Sequence, residues 1–195
     1  MILEQTISAM LSLALITIFV LLLFTIKFSN YKKRFLKSFY DIPSVIFSGP
    51  EECGKESIMT NITGYKTTSH PFENNLKIGY LIEGDKKIQL ISIPYSFMNV
   101  FVNSEEFKKI NKKLFVNDFD VSSISDNIDG QIRNFEKSSS HFDDVDKIIV
   151  ANKIDIVDDK KLKNLKTKYK KIHETSSITK KGLEQLKSNI LSKVK

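Results

Sequence analysis

The residues best suited to chemistry form one seven-residue turn, Gly49-Pro50-Glu51-Glu52-Cys53-Gly54-Lys55. It follows a short apolar run, Ser44–Ser48, and precedes a stretch of helical character starting near Glu56. A strand, then Gly-x-x-x-x-Gly-Lys, then a helix is the arrangement of a phosphate-binding loop. The glycines let the backbone curl so that successive N–H groups point inward, and the lysine ammonium and the helix N-terminus add positive charge where an anion sits. The motif asks for Ser or Thr directly after the lysine, to hold Mg²⁺. Here that residue is Glu56, with Ser57 behind it, about 100° further round the helix and unable simply to substitute.

Two further clusters stand at the ends of later strand patterns. The apolar run Lys147–Ala151 leads into Asn152-Lys153-Ile154-Asp155, and Lys171–Glu174 leads into Thr175-Ser176-Ser177. A carboxylate at Asp155 can accept two hydrogen bonds at once, from guanine N1–H and the N2 amino group, a donor pair that adenine lacks. A strand ending in Asn-Lys-x-Asp resembles the guanine-specificity motif of small GTPases. Glu174-Thr175-Ser176-Ser177 resembles the Glu-Thr-Ser-Ala of Ras-like members, and Lys181–Leu186 the start of their last helix. The resemblance implies that the aliphatic stem of Lys153 covers one face of the base and that Asn152 ties its loop to the phosphate loop. It also implies that a backbone N–H at Ser177 meets guanine O6, a contact indifferent to Ser in place of Ala. The implied ligand is GTP or GDP, bound by residues 49–57, Asn152, Lys153, Asp155, Ser176 and Ser177.

The metal end departs from that pattern. Where such proteins carry Asp-x-x-Gly at the end of the third strand, this chain has Ser92-Ile93-Pro94-Tyr95, followed by Ser96. Ser92 replaces the acid and Tyr95 the glycine whose N–H senses the γ-phosphate. Mg²⁺ is therefore in doubt, with Glu56, Ser57 and Thr68 (or Thr67) the residues nearest a metal in the motif's frame, and no residue is assigned a catalytic role. Phosphoryl transfer depends on metal and positioned water, so nucleotide binding with weak or absent hydrolysis is expected.

These loops need a scaffold, and the remaining pattern supplies one. Strand and helix patterns alternate from Asp41 onward, with Lys77–Glu83 and Lys86–Ile93 joined at Gly84-Asp85 as a hairpin. Thr63–Asn75 is expected to be a polar loop, Pro94–Lys112 a loop and helix, Leu114–Phe119 a strand and Ser125–Lys137 a helix. The fold class is α/β: a mainly parallel six-stranded sheet with one antiparallel edge strand and helices on both faces. In such sheets ligands sit beyond the carboxyl ends of the strands, where all three motifs fall.

Upstream, Ile7–Ile26 is a twenty-residue run without charge, proline or glycine. As a helix it spans roughly 30 Å, the thickness of a bilayer core. The run is too long, and its N-terminal flank too acidic, for a cleaved signal peptide. Lys27, Lys32, Lys33, Arg34 and Lys37 follow it, whereas Glu4 is the one charge before it. The positive-inside rule then puts the bulk of the chain in the cytosol, and the basic stretch, interleaved with Phe28, Tyr31, Phe35, Phe39 and Tyr40, can rest on anionic headgroups. The expected organisation is an anchor over 1–26, a basic juxtamembrane linker over 27–42 and a GTPase-like domain over 43–195. Of the net charge of +7, these five basic residues and Glu4 leave only +3 for 41–195, which argues against direct nucleic-acid binding. Cys53 is the single cysteine, so no disulfide forms within the chain. Asn61-Ile62-Thr63 is a glycosylation sequon that this topology keeps cytosolic and unmodified.

An N-terminal membrane helix, a basic flank and then a Ras/Arf-like domain resembles the beta-subunit family of the signal recognition particle receptor. Ile93-Pro94 is similar to the Leu-Pro of that family's Asp-Leu-Pro-Gly. The resemblance implies an endoplasmic reticulum location and, as partner besides the lipid bilayer, the receptor's alpha subunit, held through the switch regions during co-translational targeting. Two other readings are an Arf/Sar-like switch of membrane traffic and a pseudo-GTPase scaffold without nucleotide. Glu56, Ser92 and Tyr95 weigh against the first, Asp155 and the Glu174–Ser177 run against the second.

Overall fold

The computed structural model describes residues 2–71, 73–122, 128–157 and 159–194. The chain divides into two units, Met1–Asp41 and Ile42–Lys195. The first is a single helix, α1 (Ile2–Asp41), and the basic stretch from Lys27 onward continues it without a break. The large apolar side chains described between Leu13 and Ile26 are 45–67% exposed. By length and composition α1 can cross a membrane.

The second unit is a seven-stranded sheet in the order β2-β3-β4-β1-β5-β6-β7. Its strands are β1 (Ser44–Gly49), β2 (Thr68–His70), β3 (Glu73–Glu83), β4 (Lys86–Pro94), β5 (Lys112–Asp120), β6 (Asp146–Asn152) and β7 (His173–Glu174). The helices are α2 (Lys55–Thr63), α3 (Tyr95–Phe101), α4 (Glu105–Lys109), α5 (Ile128–Ser139), α6 (Asp159–Lys168) and α7 (Leu183–Lys193). The expected α/β class holds, with β3 the one strand that runs against the rest. A seventh strand, β2, lies within the polar stretch read as a loop. Its pairing with β3 uses backbone groups, which no side-chain pattern announces. The segment read as loop and helix over 94–112 folds as two short helices, α3 and α4. The helix expected over 125–137 is present over Ile128–Ser139, and its first expected residues, 125–127, lie outside those described.

β1 and β5 are buried along most or all of their length because helices cover both sheet faces. On one face Val45, Phe47, Leu114, Val116 and Val150 pack with Ile58, Met59 and Ile62 of α2 and Leu183, Leu186 and Ile190 of α7. The period of two sends the intervening residues to the other face. There Phe115 stacks on Phe142 at 4.1 Å and lies beside Phe135, which Phe119 and Tyr169 meet edge-on. β1 has β4 on one side and β5 on the other, so the chain leaves its carboxyl end in one direction and returns from the other. That switch point is where an open sheet forms a crevice, and it falls at Gly49.

Phe115 is fully buried at the centre of the aromatic layer. Phe115→Ala is expected to destabilise the domain by about 3–5 kcal/mol, read as a lowered urea midpoint at unchanged slope. A shift under about 1 kcal/mol would mean that the layer does not carry the fold.

Candidate functional site

The turn after β1 is shaped by two close approaches. A Cβ on Gly49 would lie 2.4 Å from the Asp118 carbonyl oxygen, and one on Gly54 would lie 2.4 Å from Asn152 Nδ2. Gly54 also has φ +109°, a conformation L side chains rarely adopt. Between them Glu52 takes φ 58°, Pro50 is half-buried, and Glu51 and Glu52 are exposed. Glu51 accepts a hydrogen bond from Ser96 Oγ at 2.7 Å, which ties the turn to α3.

Lys55 opens α2 and is 2% exposed. Its Nζ donates to the carbonyls of Gly49 (3.3 Å) and Pro50 (2.5 Å), holding the ammonium inside the turn. The first N–H groups of α2 have no partner within the helix, so they and Lys55 together make a cradle for an anion. Ser57 is exposed at the rim of an open cleft of about 450 Å³, lined also by Glu56, Thr60, Asn61, Thr67 and Ser177. Thr67 lines this cleft, whereas Thr68 is an exposed residue of β2 and is not among the lining residues.

The later loops close on the same turn. Asn152, at the end of β6, donates from Nδ2 to the Cys53 carbonyl at 2.9 Å, and its Oδ1 accepts from Thr175 Oγ1 at 3.4 Å. Ser177 Oγ lies 3.7 Å from where a Cβ on Gly54 would stand, and the Ser177 carbonyl accepts from Asn61 Nδ2 of α2 at 3.1 Å. Ser176 is buried, its Oγ accepting from the Thr179 N–H. Lys153 has φ 63° and its Nζ pairs with Asp120 at 2.7 Å, which stretches the side chain along this edge. Asp155 is exposed, and the Ile154 N–H just before it is held by the Thr175 carbonyl at 3.2 Å. The phosphate turn, the Asp155 loop and the Ser176-Ser177 loop therefore meet at one end of the sheet.

The metal end is built differently. Ser92 Oγ donates directly to Glu56 Oε1 at 2.5 Å. Tyr95 turns into the core, 7% exposed, and donates to Asn117 Oδ1 at 2.7 Å; burial pushes its phenol well up. Among the described residues there is no cluster of three or more His, Cys, Asp or Glu that could hold a metal ion. A hydroxyl on the helix and an acid on the strand are what this fold needs for Mg²⁺, and the residues present do not fit that pattern.

Asp118 and Asp120, at the end of β5, were not singled out from sequence. The sequence signal is two acids in the last three residues of the strand, directly after its apolar run Leu114–Val116 and Asn117. Asp120 anchors Lys153 and, through its backbone N–H and carbonyl, the Gln131 side chain. Asp118 lies beneath the turn, fully buried, accepting from Cys53 Sγ at 3.3 Å, with its Oδ1 unpartnered among the described residues. Burial pushes its carboxyl up to about 8, against the opposing pull of Lys55. Cys53 is buried, and burial, then the Asp118 charge, raises its thiol.

Among solved structures the chain is similar to nucleolar GTP-binding protein 1 of Plasmodium falciparum, at 22% identity and TM-score 0.61, over 78% of this chain and 86% of that one. It is also similar to Era of Aquifex aeolicus bound to GDP and aluminium fluoride, at 15% identity and TM-score 0.58, over 78% and 56%. A third similar structure is Era in complex with MgGDPNP and a segment of 16S ribosomal RNA, at 14% identity and TM-score 0.56, over 79% and 57%. The chain thus spans little more than half of each Era chain. No family model and no curated protein matches the chain. The likeness makes the fold that of P-loop GTPases.

A raised Asp118 means that the folded domain keeps a proton which the unfolded chain, with a carboxyl near 3.8, releases. This contribution to stability is present below that value and is lost as pH rises through about 8. Asp118→Asn removes it. Between pH 5 and 9 the melting temperature of the wild type is expected to fall relative to that of the variant. A constant difference across that range would refute the raised carboxyl.

Proposed function

We propose that this chain is a guanine-nucleotide-binding protein carried on a membrane by α1, with weak or absent GTP hydrolysis. The observation that carries the reading is the Asn152 side chain, which joins the Cys53 carbonyl of the phosphate turn to the loop that presents Asp155. A nucleotide with its phosphates at Gly49–Lys55 is thereby kept at fixed distance from a carboxylate able to read the guanine N1–H and N2 amino groups. Adenine offers no matching donor pair to Asp155. The similar structures bound to GDP and to MgGDPNP support the same ligand class. Weak hydrolysis follows from Tyr95, whose side chain is committed to the core, and from Glu56 and Ser92, which replace the metal-holding pair.

The finer reading is the one the sequence resemblance suggests: a member of the signal recognition particle receptor beta-subunit family, at the endoplasmic reticulum membrane with its domain cytosolic, holding the receptor's alpha subunit. The exposed apolar side chains of α1 and the five basic residues after them support the anchor and its orientation.

The test is to purify the full chain in detergent, release bound nucleotide by denaturation and identify it. Guanine nucleotide is expected, and adenine nucleotide or none would overturn the reading. Asp155→Asn is expected to weaken guanine binding by about tenfold or more, the worth of a charged hydrogen bond, and to shift selectivity towards xanthine nucleotides. Unchanged guanine affinity would remove Asp155 from the base site.

A further inference from the structure

We infer that this chain binds its nucleotide without a divalent cation, because the Glu56–Ser92 pair replaces the helix hydroxyl and strand acid that would hold the cation. The inference rests on the guanine-nucleotide reading above and adds the terms on which that site works. In a P-loop site a hydroxyl from the helix and a carboxylate from the neighbouring strand hold Mg²⁺ between them. Here the two groups have changed carriers: the carboxylate is on α2, at Glu56, and the hydroxyl on β4, at Ser92.

The exchange is not neutral in space. A glutamate reaches two bonds further from the backbone than a serine, and Glu56 spends that reach crossing from α2 to β4. Its Oε1 accepts the Ser92 hydroxyl proton at 2.5 Å. Mg²⁺ holds each oxygen ligand at about 2.0–2.1 Å in an octahedron, and the serine or threonine hydroxyl that would supply one of them is missing from the first turn of α2, where Glu56 stands. Ser92 cannot withdraw. It is fully buried, and its strand is paired on both sides, with Phe47 of β1 as one register partner and Lys77 of β3 as the other. The Glu56 Oε1 is therefore held against β4 by the Ser92 hydroxyl.

Charge permits the arrangement. Ser92 stands where an acid would otherwise be, so the pair carries one negative charge, as the hydroxyl-and-acid pair does. The positive groups that face the phosphates belong to the chain itself: the buried Lys55 ammonium and the free N–H groups at the start of α2. Neither depends on a metal. No other acidic or histidine cluster among the described residues offers a cation an alternative seat.

The experiment measures affinity and dissociation rate of a fluorescent GDP on the full chain in detergent, in excess Mg²⁺ and in excess EDTA. The two conditions are expected to agree within about twofold, whereas binding tighter by about tenfold in Mg²⁺, a difference of about 1.4 kcal/mol, would overturn the inference. A double variant, Glu56→Ser with Ser92→Asp, restores the hydroxyl to the helix and the acid to the strand. Its affinity is expected to fall by about tenfold or more in EDTA, and indifference to EDTA would overturn the role given to the pair. Absence of guanine-nucleotide binding in both conditions would overturn the binding function itself, an outcome distinct from binding that needs Mg²⁺.

Discussion

The site depends on one buried amide. Asn152 Nδ2 reaches from the end of β6 to the Cys53 carbonyl, and it does so through the space that any side chain at position 54 would need. The glycine and the asparagine are thus a single constraint seen from two strands. Without the glycine the amide cannot approach. Without the amide, the carbonyl loses its partner in a place water reaches poorly, which costs more than the bond itself contributes. Because Asn152 Oδ1 also accepts from Thr175 Oγ1, the constraint passes on to the loop after β7. Three loops remote in sequence are fixed against one another by one side chain with no free rotamer.

Beneath that junction the sheet carries a polar layer that is unusual for a strand core. Asn117, Asp118 and Asp120 end β5 after the apolar run Leu114–Val116, and each is committed to a different neighbour: Tyr95, Cys53 and Lys153. Parity explains the division. Asp118 points to the α2 side, under the phosphate turn, while Asn117 points to the aromatic side, where Tyr95 meets it. A protonated Asp118 suits its place better than an ionised one, since only Cys53 Sγ and, at 3.5 Å, Asn152 Nδ2 approach its Oδ2. The buried Lys55 moderates that preference without reversing it.

Much of this was legible in the residues alone. The strand β1, the helix α2 and the turn between them follow from an apolar run, a Gly-x4-Gly-Lys spacing and a helical stretch. Asn152, Lys153 and Asp155 follow from their position after Lys147–Ala151. The edge strand β2 was not legible, because its pairing is made by backbone groups and its side chains are polar. Asp118 was not singled out because its role arises from β5 lying beside β1, a neighbour relation that only the sheet order supplies. The side chain of Tyr95 was not placed by its sequence position. From sequence it is a bulky residue at the γ-phosphate; in the fold it is a core residue whose hydroxyl serves Asn117. The motif frame locates the backbone and says nothing of where a large side chain turns.

Glu56, Ser92 and Tyr95 are best understood together, because a change at any one alone would be costly. A glutamate after the lysine with an acid still at position 92 would set two carboxylates against each other beside the phosphates. A serine at 92 without Glu56 would leave a buried hydroxyl with no acceptor. With both present, the hydroxyl is satisfied and the charge of the pair is unchanged. At position 95 the tyrosine ring turns into the core, where a glycine would leave space unfilled, and its hydroxyl satisfies Asn117. The cradle from Gly49 to Lys55 needs none of these three residues, since it is made of backbone N–H groups, one ammonium and the Asn152 brace. The anion cradle and the Glu56–Ser92–Tyr95 group are therefore separate constructions at the same end of the sheet, the first built from backbone and one ammonium, the second from side chains alone.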